Sequence, residues 1–331
     1  MINTIYIEED VVDHPRAKAI LSRFKKAEVI VCHHYGELFN RKAQNFRVQK
    51  QNAALILANK KKQFVLPSPD EYGIGGDKNY YFSHMLNCIY DCRYCFLQGM
   101  YRSAHYVLFV NYESFAEDII KTTHEHPDKS SFFYSGYDCD SLALEPVSHF
   151  VDFILPVFET LPEATLELRT KSTQIRGLLQ RPAIDNCVVA FSLSPDNIVA
   201  HLEEKTPPLK RRIEAMKKLQ AKGWSIGLRF DPLIYHSAYQ ENYAGLFKAV
   251  ARSLDNSLVH SVSLGTFRMP EVFFRNMIKL YPKERLFAGS LAENDDMVSY
   301  EKQKAREMTQ YCYDLLLQYW TDEQIFPCYQ T

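Results

Sequence analysis

The sequence predicts an α/β protein built on a partial (β/α)6 TIM-type barrel, with a small α/β extension before it and a helical segment after it. Three observations support this. From residue 80 onward, strand-type and helix-type patterns alternate without interruption. The alternation gives six βα units in about 200 residues, too few for a complete eightfold barrel. Finally, three cysteines follow the first predicted strand, at the end of the barrel where such folds place their chemistry.

Taken in order, "YYFSHML" reads as a strand leading into the cysteine loop, and "NYESFAEDIIKTTHEH" as an amphipathic helix. The apolar strand "SFFYSG" follows, then "VSHFVDFILPVFETL" as one helix, "ATLELRTK" as a strand and "IRGLLQR" as a short helix. "CVVAFSLS" is β-branched and apolar, and "PPLKRRIEAMKKLQAKG" is a helix with proline near its start and glycine at its end. "WSIGLRFDPLI", "NYAGLFKAVARSL", "HSVSLGTF" and "PEVFFRNMIKLYP" complete the series. Repeated βα units imply a parallel sheet with right-handed crossovers. The expected organisation is an N-terminal α/β extension over 1–79, carrying the strands "AEVIV" and "ALILA", the barrel over 80–290, and a C-terminal segment over 291–331, mainly helical from Tyr300.

Composition narrows the function classes. At 331 residues and 46% hydrophobic, the chain can bury a sizeable core. A net charge of −1 provides no bulk attraction to nucleic acid or anionic membrane, although a local basic groove is compatible with it. The acidic start "MINTIYIEEDVVDHPRAK" lacks the apolar core of a signal peptide, and no apolar run is long enough to span a bilayer. Eight cysteines, five of them scattered, do not form a disulfide framework, so a reducing cytoplasm is expected.

The concentrated chemistry is "CIYDCRYCFLQG", in which Cys88, Cys92 and Cys95 have the spacing C-x3-C-x2-C. A fully ligated iron–sulfur cube takes four thiolates. Three would leave one iron open to a small molecule, as open positions do in catalytic metal sites. Two other readings stand beside this one. A structural zinc site would want a fourth ligand close by, and His84 and His105 are the nearest imidazoles. Alternatively, positions i, i+4 and i+7 place three buried thiols on one helical face.

These residues resemble the spore photoproduct lyases, radical S-adenosylmethionine (SAM) enzymes that repair a thymine dimer in DNA. Similarity runs over most of the chain: "CIYDCRYCFLQ", "YVLFVNYE", "RTK" at 169–171, "FSLS" at 191–194, "EEKTPPLKRRIEA" and "GLRFDPLIYH". "YYFSHMLNCIYDCRYCFLQGMYRSA" is most similar to the lyase-like branch found outside spore-formers. The resemblance implies a barrel of the radical SAM type. It also implies a 4Fe–4S cluster on Cys88, Cys92 and Cys95, with SAM on its open iron and a flavodoxin or ferredoxin as electron donor. Asp140, Lys171 and Ser192 fall where the lyases contact SAM, and Cys139 replaces a serine that does the same. Tyr94 matches an aromatic position of the family. The implied reaction is hydrogen abstraction from a pyrimidine photoproduct followed by C–C cleavage. The alternatives are radical modification of RNA or a small molecule, or a non-catalytic zinc or iron–sulfur module.

Two departures from the lyases stand out. Tyr137 takes the place of the cysteine that returns hydrogen to the product radical, with Cys139 two residues further on, and Phe96 replaces a relay tyrosine. The second concerns DNA. Where the lyases carry a basic hairpin, "AGSLAENDDMVSYEKQK" sets Glu293, Asp295, Asp296 and Glu301 against Lys302 and Lys304. Carboxylates there oppose phosphate binding. Basic candidates elsewhere are Arg41, Lys42, Arg47 and Lys50, Lys60 to Lys62, and Lys210 to Arg212. Asp231 ends the fifth strand where the lyases have a small apolar residue. It reads as a substrate contact or as a carboxylate paired with Arg229's neighbours. Cys32, His33 and His34 are adjacent on a strand and so do not converge on a metal, and His124 and His126 suit a helix C-terminus.

Overall fold

The computed structural model describes residues 2–69 and 73–328. The alternation becomes six strands: β1 (Lys78–Phe82), β2 (Ser131–Ser135), β3 (Ala164–Thr170), β4 (Cys187–Ser192), β5 (Ser225–Leu233) and β6 (Val259–Thr266). They pair in sequence order, all parallel, as a curled half-barrel. Two strands absent from the sequence reading widen the sheet to eight: Val65–Pro67, antiparallel to β1, and Ile325–Pro327, parallel to β6. Each has three residues and ends in proline, which leaves no room for a period-two pattern to show.

Helices Tyr112–His124, Phe150–Glu159, Leu209–Gln220 and Tyr239–Ala251 cross over between strands. One face of the sheet packs beneath them, with Phe133, Leu166, Leu168, Val189, Phe191, Leu228 and Val262 all fully buried. Successive side chains alternate in direction, so the intervening residues line the interior, and there the strands carry charge. Glu167 and Arg229 form a fully buried pair at 2.8 Å, and Arg229 also donates to the Ser261 hydroxyl at 2.9 Å. Burial opposes the Glu167 charge, but Arg229 and Arg169 prevail and pull its carboxyl down to about 2.

The single helix expected over "VSHFVDFILPVFETL" is interrupted. Helix Glu145–Ser148 ends at His149, whose φ is +48°, and a new helix starts at Phe150. The Glu145 carboxylate holds the corner, accepting from Val151 N at 2.9 Å and Ser148 Oγ at 3.1 Å. Competition from a side-chain acceptor is invisible to hydrophobic periodicity.

The N-terminal segment contributes a second, five-stranded sheet in the order Glu28–Cys32, Thr4–Glu8, Leu55–Ala58, Tyr106–Phe109, Met85–Leu86. Its last two strands flank the cysteine loop. "YYFSHML" is therefore two strands in two sheets, not one, and the loop is anchored at the junction. Between them lies His84, fully buried and stacked on Phe150 at 3.8 Å, with Nδ1 unpartnered. Burial pushes its imidazole down to about 3. The unfolded chain takes up this proton first, so the stabilisation is complete above pH 6.5 and fades as pH falls toward 3. The loss reaches about 3 kcal/mol by pH 4. His84→Phe is expected to flatten the stability decline between pH 6.5 and 4 in urea titrations. An unchanged slope would remove His84 from the acid limb.

Candidate functional site

The C-terminal ends of all six parallel strands open on one mouth, and the predicted site residues come to it from separate elements. The cysteine loop leaves after β1. Gly136 to Asp140 follow β2, Lys171 follows β3, Ser192 ends β4, and Asp231 lies near the end of β5.

The cysteine loop is held by polar contacts on several sides. Asn87, at φ +72°, accepts from Cys88 N and donates to the carbonyls of Ser103 and His105. Asp91–Cys92 forms a short antiparallel bridge with Glu203–Glu204. Gln98 Nε2 donates to the Cys92 carbonyl at 2.8 Å. From the N-terminal sheet's helix Phe46–Gln51, buried Lys50 reaches in and donates to the carbonyls of Cys88 at 2.7 Å and Tyr90 at 3.0 Å. Behind the loop, Gly99 packs so closely on helix Glu271–Leu280 that a Cβ there would lie 2.3 Å from the Phe273 carbonyl.

Burial dominates the thiols. It pushes Cys88 up to about 12 and raises Cys92 and Cys95 as well, while Lys50 beside Cys88 and Lys171 beside Cys92 and Cys95 work in the other direction. Such thiols ionise when a metal takes the proton's place. Among the described residues no three Cys, His, Asp or Glu side chains are gathered for a single ion. A cube takes its thiolates one to an iron, spread over three corners. One buried and two half-buried cysteines on one pinned loop, with two lysines beside them, fit that donor set.

Within this loop Tyr94 turns inward and is buried, and its hydroxyl donates to Glu203. Glu203 is the centre of a closed network. It also accepts from Arg212 and from the Ser194 hydroxyl at 3.0 Å, and Arg212 donates to the Ser192 carbonyl at 3.0 Å. Both charged side chains are wholly inaccessible. Burial works against the Glu203 charge, but Lys171 and Arg212 hold its carboxyl below the usual range. The Lys171 ammonium lies 5.5 Å from the Tyr94 ring centre, over its face.

Asp140 is mostly committed to backbone. Its Oδ1 accepts from Thr170 Oγ1 at 2.6 Å, Leu142 N at 3.0 Å and Ala143 N at 2.9 Å, and Oδ2 accepts from Lys171 N at 2.6 Å. It thereby ties the loop after β2 to the end of β3. Cys139 is buried against Cys88, Asp138 and Asp140. Burial raises its thiol far above the ordinary value, although the Met85 N–H bonds to the sulfur. Tyr137 is 44% exposed, with its ring 4.4 Å from Tyr81 and 5.6 Å from Phe96. The two hydrogen-donor candidates thus occupy different depths. Asp231 pairs with Arg268, at 2.9 and 3.0 Å, and not with Arg229, which is held by Glu167.

Several charged candidates change role. Lys50 and Arg212, grouped by sequence with phosphate-binding clusters, are buried in the scaffold of the site. Lys61 pairs with Asp10, and Lys60 lies over the rings of Phe109 and Phe115. His33 meets Glu9, and His34 accepts from Gly36 N in its own turn, so they do not share a centre. The acidic segment is a hairpin, Leu291–Asn294 with Met297–Tyr300, turning at exposed Asp295 and Asp296. No local pattern marks Glu203, Asn87 or Gln98, whose importance comes from contacts with the cysteine loop.

The family model for spore photoproduct lyase matches residues 1–314. The chain belongs to the spore photoproduct lyase family. It is 24% identical over 291 residues to the spore photoproduct lyase of Bacillus subtilis (strain 168), covering 85% of this chain and 83% of that one. Against the spore photoproduct lyase of Geobacillus sp. (strain Y412MC61) identity is 22% over 202 residues, 60% of this chain and 59% of that one. A mutant spore photoproduct lyase solved with bound AdoMet and dinucleoside spore photoproduct superposes with a TM-score of 0.85 at 18% identity, over 100% of this chain and 99% of that one. A second mutant lyase structure reaches 0.87 at the same identity and coverage. The family's partial barrel is therefore the fold seen here. Among the described residues no helix is long and apolar enough to cross a membrane.

Proposed function

We propose that this chain is a radical SAM lyase of the spore photoproduct type, which cleaves the carbon–carbon bond joining the bases of a pyrimidine photoproduct in DNA. The observation that carries this is the gathering of one loop's three thiols at the same barrel mouth as Asp140, Lys171 and Ser192. Held there by Cys88, Cys92 and Cys95, with Asp140, Lys171 and Ser192 toward SAM, a 4Fe–4S cluster and SAM would supply the radical chemistry that abstracts hydrogen from the substrate. The related lyase solved with AdoMet and a dinucleoside photoproduct supports that pairing of cofactor and substrate.

The chain's own residues divide the remaining work. Cys88, Cys92 and Cys95 hold the cluster. Lys171 provides a cation for the SAM carboxylate, and Ser192 a hydroxyl that donates or accepts. Asp140 shapes the loop and keeps capacity on Oδ2 for a ribose hydroxyl, with Cys139 beside it. Tyr94, fixed on Glu203, remains a neutral phenol within the cluster loop. A low-potential carrier such as a flavodoxin or ferredoxin supplies the electron.

We assign hydrogen return to Tyr137: its O–H bond breaks as the product C–H bond forms, and the tyrosyl radical left behind is restored by one electron from the same low-potential carrier and a proton from solvent. Its phenol stands at the open mouth, whereas the Cys139 sulfur is sealed behind it among the cluster-loop residues.

Anaerobic reconstitution with iron and sulfide, then SAM, dithionite and a synthetic dinucleotide photoproduct, tests the assignment. The expected products are 5′-deoxyadenosine and the repaired dinucleotide. Colourless protein holding one zinc, or no repair despite 5′-deoxyadenosine release, would overturn it. Tyr137→Phe is expected to lower repaired product about tenfold while 5′-deoxyadenosine still forms. If Cys139→Ala gives that phenotype instead, the donor is Cys139.

A further inference from the structure

The proposed chemistry requires an electron from outside the chain, and one surface is suited to deliver it. Between helices Phe46–Gln51 and Glu271–Leu280 runs a groove of about 530 Å³, lined by Asn45, Phe46 and Arg47 on one side and Lys279, Leu280 and Pro282 on the other. We propose that this groove docks an acidic one-electron carrier protein and that the electron enters the cysteine loop through Tyr281. The proposal rests on the functional reading above and extends it to the partner's binding surface.

The charge of this surface favours an anionic partner. Arg47 and Lys279 line the groove, and Arg41, Lys42 and Lys283 adjoin its lining segments in sequence; all five are exposed, and none forms an ion pair with a described residue. In a chain of net charge −1 that is a segregated patch. Unneutralised cations beside a concave surface attract an anionic partner and speed its encounter.

The groove also connects to the cysteine loop. Tyr281, immediately after the groove-lining helix, lies under two guanidiniums, Arg93 at 4.3 Å and Arg47 at 5.8 Å. Its hydroxyl bonds Gln98 Oε1 at 2.5 Å and Asp91 Oδ1 at 3.3 Å. The Gln98 amide in turn donates to the Cys92 carbonyl. One aromatic ring and one amide thus connect the groove wall to the loop that carries the thiols. Electron transfer weakens steeply with distance, so a short bonded route from surface to loop is the property a docking site requires.

The apolar content of this surface separates a protein partner from nucleic acid. Val48 and Ile278, on the same two helices, are 61% and 40% exposed. Large aliphatic side chains among cations suit a protein interface and give a phosphate backbone nothing to bind. Tyr137, Lys171 and Ser192, which line the substrate mouth, do not line the groove, so carrier and substrate have separate seats. In the step itself one electron passes from the reduced carrier, for example a flavodoxin hydroquinone becoming its semiquinone, to the oxidised cluster. No bond between heavy atoms forms or breaks.

The test is the double charge reversal Arg47→Glu with Lys279→Glu, neither residue being part of the catalytic site. In anaerobic stopped-flow at low ionic strength, the second-order rate of reduction by flavodoxin hydroquinone is expected to fall about tenfold or more, and its salt dependence to flatten. Reduction by dithionite should match wild type. Calorimetry with oxidised flavodoxin, which needs no cluster, should show weaker binding. An unchanged flavodoxin rate and affinity would overturn the proposal. So would a variant that loses affinity for a DNA duplex while keeping its flavodoxin rate, which would assign the groove to nucleic acid. A wild-type protein that takes up no dithionite-reducible cluster would instead fail the functional reading, and flavodoxin calorimetry would still decide the docking site.

Discussion

Glu203→Ala is expected to cost the folded state about 3–5 kcal/mol, the largest loss foreseen for a single substitution here, because it strands a buried guanidinium. Glu203 and Arg212 are both wholly inaccessible, and the same carboxylate receives the Tyr94 and Ser194 hydroxyls. Its removal leaves the buried Arg212 charge with only the neutral oxygens of Ser192, Thr206 and Pro207, and two hydroxyls without their acceptor. The diagnostic experiment is a double-mutant cycle in urea. Glu203→Leu combined with Arg212→Met should recover much of the loss, since no lone charge is left behind. Recovery should be incomplete, because Tyr94 still lacks its partner. A single-mutant cost below about 1 kcal/mol would show that water reaches the pair and that the network is not sealed.

Lys50→Met should produce the second large effect, localised at the cysteine loop. The ammonium satisfies the carbonyls of Cys88 and Tyr90 from the N-terminal sheet's helix, and a thioether cannot replace either bond. One buried and one half-buried acceptor left unpaired cost about 2–4 kcal/mol together. The expected readings are a lowered melting temperature and less iron retained per chain after anaerobic reconstitution and desalting. Lys50→Arg should restore part of both. Wild-type iron retention in Lys50→Met would mean that Asn87 and Gln98 hold the loop without help from the lysine.

Both effects fall on residues whose importance the sequence does not display. Lys50 stands in a basic stretch and Arg212 in a Lys-Arg-Arg run. Composition assigns such runs to a solvated or phosphate-binding face, yet in each the tertiary fold turns one member inward. Glu203 is one of two adjacent glutamates, and only the pairing of Glu203–Glu204 with Asp91–Cys92 distinguishes the inward one from its exposed neighbour. Helical and strand periodicities place side chains on a face, but not opposite a partner more than a hundred residues away. The same limit applies to Asp231, which the strand pattern aimed correctly at the interior. Its pairing with Arg268 depends on how the chain returns after β6.

What the linear chain determined by itself is whatever depends on short-range spacing. The six barrel strands and the principal crossover helices follow from alternating apolar periods, because burial on a sheet or helix face imposes those periods locally. The cysteine triad is legible for a related reason, since three thiols at close spacing on one loop reach the same barrel mouth without long-range folding. Tertiary structure alone decided the rest. It drew Val65–Pro67 and Ile325–Pro327 onto the sheet edges, divided "YYFSHML" between two sheets, and set Tyr137 at the open mouth with Cys139 sealed behind it. Those outcomes depend on desolvation and on pairing between distant segments. Both are properties of the packed molecule, where a charge or hydroxyl removed from water must find its partner wherever the fold provides one.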